Sequence, residues 1–327
     1  MSIGKASDMV IYQAEFQSGL VEGLNQNVAL FNEQTRGAIQ LIPNALRGHY
    51  GREAFFKDVA TLVTRRDITS TNTVTDLSMD QDESISVKIN RKIGPVAQTL
   101  DAIKKAGLTE AQASFAFGQL AASRKMRDMV NTALVAGEAA IQGNTAMNLN
   151  ITGESTKTAS TSALVRTVAK MGDMAGEIVC WVGHSKPYYD ILNGMISDKV
   201  TGLADLVTIQ GGIPATLGRA FVVTDASALI DLNGSATDTY NTLGLVQGAI
   251  VVEESEPDSF ATELVTGLEN LARRWQSEYA YNVKVKGFKY NTAGGVNPTD
   301  GTLGTTSNWV QVAFDDKLTA GVRLVTQ

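Results

Sequence analysis

Cys180 and His184 stand four residues apart, which invites a nucleophile–base reading in which an imidazole activates a thiol. Cys180, however, lies inside the apolar run Ile178-Val179-Cys180-Trp181-Val182, where a thiol behaves as an inert small hydrophobe. Asp80-Gln81-Asp82-Glu83-Ser84 resembles the opening of a calcium loop, but Ile85 stands where the turn glycine belongs. It reads as a solvated acidic tip. The only Gly-Lys pair, Gly4-Lys5, continues with Ala6, so no phosphate-cradling P-loop is present. Neither GxGxxG nor GxSxG occurs, which removes the handles for dinucleotide binding and for a nucleophile elbow. One cysteine makes no internal disulfide, and two histidines, His49 and His184, cannot build a histidine-rich metal centre. No cofactor is expected.

Charge is the other chemistry on offer. Glu253, Glu254, Glu256 and Asp258 form an acidic run, while basic residues cluster as Arg65-Arg66, Arg91-Lys92, Arg124-Lys125-Arg127 and Arg273-Arg274. The acidic run reads as an exposed loop, or as a docking surface for basic groups of a neighbouring chain. A net charge of −6 argues against a protein that holds nucleic acid by neutralising phosphates. Charged residues make up only 19% of the 327 residues, below the usual share of roughly 25%. Less of the surface prefers water, so partners are expected to cover part of it. No uncharged apolar stretch reaches the roughly 18 residues that a membrane span needs. The opening residues MSIGKASDMVIYQAEF lack an apolar h-region and carry Asp8 and Glu15, so no secretory signal is expected, and synthesis in a reducing cytoplasm is.

The elements that must carry these residues follow from periodicity. Met9, Tyr12, Phe16, Leu20, Leu24, Val28 and Phe31 recur at steps of three and four, one stripe of a helix weakened by Gly19 and Gly23. Such an arm needs something to lie on. Ile85, Val87 and Ile89 alternate with Ser86, Lys88 and Asn90, the period of a strand. The run 60–66, ATLVTRR, is the expected partner, with a polar excursion between the two that reaches away from the core. Thr109-Glu110-Ala111-Gln112 is a capping box opening a proline-free helix to Ile141, with Phe115, Ala122, Met126, Met129, Ala133, Ala140 and Ile141 on its apolar face. Residues 142–162 read as a flexible linker. An α/β pattern follows: a helix around Leu164, Val165 and Val168, buried strands at 177–183, 221–224 and 243–252, and a helix after Ser185. A long alternating strand runs from Trp275 to Lys286, ahead of a Gly/Asn/Thr-rich segment and a short closing piece.

The order of parts is amphipathic arm, extended hairpin, long helix, α/β subdomain, then returning strand. It resembles the tailed-bacteriophage major capsid proteins of the Hong Kong 97-type fold, along essentially the whole chain. Local strings agree: Ala272-Arg273-Arg274-Trp275, then Lys286-Gly287-Phe288-Lys289-Tyr290, then Asn297-Pro298-Thr299-Asp300 before Leu303 and Asn308-Trp309. The resemblance implies an α+β fold with an N-terminal arm (1–56), an extended β-hairpin loop (57–100), a peripheral domain with its spine helix (101–159), an axial domain (160–268) and a returning peripheral strand with the C-terminal segment (269–327).

It further implies self-assembly into hexamers and pentamers that enclose double-stranded DNA without sequence-specific binding. The particle would form in the host bacterial cytoplasm, and a separate scaffolding protein, a portal and a decoration protein are the candidate partners. Only a short arm precedes the hairpin, so a scaffold is expected to be separate or unnecessary. Phe16, Leu20, Arg65, Arg66, Lys88, Arg91, Lys92, Glu253, Glu254 and Glu256 are the expected intersubunit contacts. Some members crosslink a loop lysine to a neighbour's asparagine; here non-covalent assembly is expected, although Lys88 and Lys92 lie in the right region. Three other readings stay open: an encapsulin-like nanocompartment shell, a cytoplasmic α/β enzyme using Cys180 and His184, and another repeated virion component such as a tail or fibre protein.

Overall fold

The computed structural model describes residues 31–43, 48–57, 63–107, 109–200, 218–232, 237–267 and 269–327. Residues 1–30 of the expected arm, with Phe16 and Leu20, lie outside these residues; Phe31 and the strands within 39–56 lie inside them.

A helix of 34 residues, Glu110–Gly143, is the longest element, and at 1.5 Å per residue it spans about 50 Å. Its start is set by the expected capping box. The Gln112 N–H donates to Thr109 Oγ1 at 3.2 Å, and the Thr109 N–H donates to Gln112 Oε1 at 3.0 Å. Two orphan amides of the first turn are thereby satisfied. Ala133, Ala136, Ala139 and Ala140 are fully buried. These small side chains and Gly137 let the backbone approach a sheet closely; a Cβ on Gly137 would lie 2.3 Å from Ile250 Cδ1.

That sheet has five strands in the order β1 (Ile39–Pro43), β9 (Ile250–Val265), β10 (Ala272–Val285), β3 (Gln81–Thr99) and β2 (Tyr50–Phe56). Only the β1–β9 pair is parallel. A second sheet runs β4 (Asn148–Asn150), β13 (Gly321–Thr326), β8 (Thr239–Val246), β5 (Ile178–Gly183) and β6 (Ala220–Val223), with β7 (Ile230–Asp231) paired to β8. A two-stranded ribbon, β11 (Phe288–Tyr290) with β12 (Trp309–Gln311), completes the strands described. One core joins the helix to both sheets, from Ala38 and Ile89 through Leu134 and Ile141 to Trp181, Leu245 and Leu324.

Four expectations change. The partner of β3 is Tyr50–Phe56, paired from Tyr50 opposite Val87 to Phe56 opposite Gln81; residues 63–66 form no strand. Strand formation at β2 follows from the aromatic pair Phe55-Phe56 and Tyr50, whereas Arg65 and Arg66 favour water. The stretch 243–252 is not one strand but two, broken at Gln247-Gly248, where Gly248 adopts φ 65°. Its halves enter different sheets, so the expected 160–268 unit is divided at this turn. The acidic run is part of β9 and not an exposed loop. Finally, 142–162 is no simple linker: Asn148–Asn150 pairs in parallel with Arg323-Leu324-Val325. The last strand therefore sits between β4 and β8, which closes the second sheet with residues from beyond the expected axial unit.

Gly321 has φ 145°, and a Cβ there would lie 2.0 Å from the Gly244 carbonyl oxygen. Gly267 has φ 87° but nothing within 4 Å of the added carbon. Gly321→Ala should therefore cost more than about 3 kcal/mol, combining strain and overlap. Gly267→Ala should cost about 1–2 kcal/mol, for the left-handed backbone alone. Chemical denaturation of both variants checks this; equal losses would refute the steric account.

Candidate functional site

Two regions stand out: a charged seam that fixes the long helix to the first sheet, and an exposed segment at the end of the β2–β3 hairpin.

The seam is centred on Lys125, whose side chain is 1% exposed. Its ammonium meets Glu254 and donates to both oxygens of Asp258, at 2.8 and 2.9 Å. The ring of Tyr279 lies beneath it, 5.2 Å from the nitrogen. The register between β9 and β10 shifts around Ala280, which stands opposite Glu256, while Tyr281 stands opposite Glu254. This irregularity places Glu254 and Asp258 at Lys125 on the helix, while Glu256 pairs with Lys88 of β3. A strand with strict period two would send 254, 256 and 258 to one face.

One turn further along the helix, Asp128 accepts hydrogen bonds from the Tyr279 hydroxyl at 2.8 Å and the Tyr281 hydroxyl at 3.0 Å. Arg91 of β3 stands 3.4 Å from Asp128 and pairs with Asp300. Burial pushes both phenols well above the ordinary tyrosine range, with the Asp128 charge adding to it. Arg273 binds Glu110 at 2.8 Å near the helix start. The indole N–H of Trp275 donates to Ser114 Oγ at 3.2 Å. Toward the other end, Arg323 of β13 meets Glu138 at 2.9 Å. Burial raises the Glu138 carboxyl above its ordinary range, partly opposed by Arg323.

The expected contact residues thus separate into groups. Lys88, Arg91, Glu254 and Glu256 are engaged within the chain, and Glu253 is nearly buried in β9. Lys92 is exposed on β3, and Arg65 and Arg66 are exposed in the irregular stretch 63–80. Sequence reasoning missed Lys125 as the centre of the seam. The signal was available: position 125 falls between Ala122, Met126 and Met129 on the apolar stripe of the helix, where a lysine must be paired. Cys180 is fully buried, its Sγ donates to the Trp181 carbonyl at 3.3 Å, and burial pushes its thiol up to about 11. His184 Nδ1 accepts from the Lys186 N–H at 3.3 Å, and Nε2 stands 3.4 Å from Asp225. The two are occupied in packing and helix capping.

The exposed segment is different in kind. Residues 63–80 carry no regular structure. Val63 is 93% exposed, Ile68 84%, Val74 88%, Met79 66% and Leu77 55%. Its internal bonds are local, such as the Thr69 N–H to Asp67 Oδ1 at 2.9 Å. A surface this apolar on one projection marks an interaction site.

Architecture and sequence now meet known proteins. The chain superposes on a chain of the cyanophage Pam1 capsid asymmetric unit with a TM-score of 0.51 at 12% identity, covering 88% of each chain. It superposes on a chain of the head structure of Helicobacter pylori bacteriophage KHP40 with a TM-score of 0.50 at 8% identity, again covering 88% of each. At these identities the likeness concerns the fold, which is that of phage capsid proteins, the Hong Kong 97-type α+β architecture expected from the order of parts. No curated protein matches the sequence. The chain belongs to the major capsid protein 13-like family, whose model matches residues 8–323. It is a structural protein that forms a capsid shell, and neither the nanocompartment nor the enzyme reading draws support from these matches.

Burial holds the Asp258 carboxyl above its ordinary 3.8, against the attraction of Lys125. Raised in the folded state, it favours folding fully below pH 3.8, and that contribution is lost as pH rises through the folded value. Lys125→Met removes the cation and leaves two carboxylates facing each other, at a cost of about 3–5 kcal/mol at pH 7. The deficit should shrink on acidification, because Asp258, raised by burial, then takes up a proton. Urea denaturation of both proteins between pH 7 and pH 4 measures this; a deficit independent of pH would refute the ionic seam.

Proposed function

We propose that copies of this chain assemble into hexamers and pentamers tiling an icosahedral shell around the double-stranded DNA of a tailed bacteriophage. The observation that carries the reading is the exposed apolar segment 63–80, which nothing among the described residues buries. Burying apolar surface is worth roughly 25 cal/mol per Å², so five large apolar side chains brought against neighbours supply a driving force that the monomer leaves unused. The β2–β3 hairpin and this segment act as the extended loop. The long helix and five-stranded sheet act as the peripheral domain, and the six-stranded sheet as the axial domain.

The remaining assignments follow from the same reading. Assembly takes place in the host cytoplasm with a scaffolding protein, and the finished head carries a portal and decoration protein. Lys92, Arg65 and Arg66, exposed among the described residues, meet carboxylates of neighbours, and Phe16 and Leu20 contribute from the arm. A net charge of −6 keeps the shell wall from gripping the packed genome. No chemistry is asked of the chain, and contacts are non-covalent.

Negative-stain microscopy and sedimentation of the chain, expressed alone or with its scaffold, should show closed isometric particles. Val74→Ser combined with Leu77→Ser and Met79→Ser should abolish them. The monomer's own stability should move by less than about 0.5 kcal/mol per site, since these side chains are already in water. Particles that persist in the triple variant would refute the role of the segment.

A further inference from the structure

Glu138 is the only charged residue of the long helix between Asn131 and Gly143, and its helix neighbours Ala136, Ala139 and Ala140 are fully buried. Its side chain is 12% exposed, and that of its partner Arg323 on β13 is 9% exposed. A buried guanidinium and a buried carboxylate balance each other when nothing else charged is near. Here a second acid is near. Burial raises the Glu138 carboxyl, Arg323 opposes the rise, and the charge of Asp231 on β7 adds to it. Asn241 of β8, fully buried, donates through Nδ2 to Asp231 Oδ2 at 3.4 Å and so ties that acid to the sheet. The turns 145–147 and 227–229, which also touch the helix, bring no charge, and neither do β4 and β8. The connection from β7 to β8 adds one further acid among the described residues, Asp238. With its carboxyls ionised the cluster therefore holds more negative than positive charge, and one proton relieves it.

We infer that Glu138, Arg323 and Asp231 form a proton-operated clasp between the long helix and the second sheet. With Glu138 neutral, the helix stays seated on β13. With it ionised, two carboxylates compete for one guanidinium, and the helix parts from the sheet more readily. Once they part, Glu138 meets water and its carboxyl returns to its ordinary range, so the closed contact binds the proton more tightly than the open one. The clasp's contribution is therefore complete below the ordinary 4.5 and is lost as pH rises through the folded value. The seam on the first sheet has the same sign, since Lys125 is shared by Glu254 and Asp258 and burial raises Asp258. Acid thus seats one helix on both sheets, and rising pH loosens it from both. The clasp is a property of the single chain and does not depend on shell formation.

Hydrogen exchange of the full chain, read on peptides covering β13 and corrected for the intrinsic effect of pH, measures opening at the clasp. From about pH 5 to about pH 8 the protection of β13 should fall several-fold in the unaltered chain. Glu138→Gln keeps the size of the side chain and stays neutral, so its β13 protection should be level across the same range. Asp231→Asn removes the second acid while leaving the Glu138–Arg323 pair, and the midpoint of the loss should move to lower pH. That shift is read without the glutamine variant, so the test stands even where Glu138→Gln fails to fold. A pH dependence as steep in Glu138→Gln as in the unaltered chain would overturn the clasp. So would a midpoint that Asp231→Asn leaves in place, or β13 protection in the unaltered chain that does not change with pH.

Discussion

An ammonium group that is 1% exposed stays charged in a protein only when it is paired and fully hydrogen-bonded. Lys125 meets that condition through two carboxylates four residues apart on β9, and much of the architecture follows from it. The strand must be irregular for Glu256 to leave the row shared by Glu254 and Asp258. The helix must keep its rotation, or the lysine would be stranded. The tyrosines of β10 must lie alongside, where their hydroxyls reach Asp128. Such a pair contributes little net stability compared with apolar residues of the same volume, but it penalises every other register of helix on sheet. Its role is to specify one arrangement.

Around that fixed point the small-residue stripe does the packing. Ala133, Ala136, Gly137 and Ala140 bring the helix backbone close to β9, so the polar contacts of the seam form at hydrogen-bond distance. The same helix reaches the second sheet through Glu138 and Arg323. One rod therefore clamps two sheets that the chain visits alternately: β8 belongs to one and β9 to the other, across the three residues 247–249. A movement of either sheet relative to the other would have to break charged contacts along the helix and not merely slide apolar surfaces.

The sequence made the long-range plan legible and the local connections less so. The capping box at Thr109 fixed the helix start because its two hydrogen bonds depend on four consecutive residues. The alternation of β10 was readable because one face meets the helix over its whole length. The partner of β3 was misplaced because ATLVTRR has strand-like residues while YGREAFF carries glycine and charge; pairing was decided by tertiary contact with β3, which no window of single-strand propensity contains. The 243–252 run looked continuous because both halves are buried, and only Gly248 marked the change of sheet. The acidic run looked like a loop because its partners, Lys125 and Lys88, lie more than a hundred residues away.

That last error bears on how the chain can associate. Clusters of opposite charge in one sequence suggested bridges between copies, yet Glu254, Glu256 and Asp258 are consumed internally by Lys125 and Lys88, and Arg91 by Asp128 and Asp300. What stays exposed is a different set: the apolar side chains of 63–80 with Asp76 and Asp80, and cations such as Arg65, Arg66, Lys92, Arg124 and Arg127. In the proposed shell, association would depend chiefly on apolar burial, which salt screening does not weaken, with a minority of exposed charges setting orientation and partner choice. The low charge share of the chain acquires a physical meaning here. Charge is concentrated where it holds the fold in one register, and the projecting surface of residues 63–80 is left apolar.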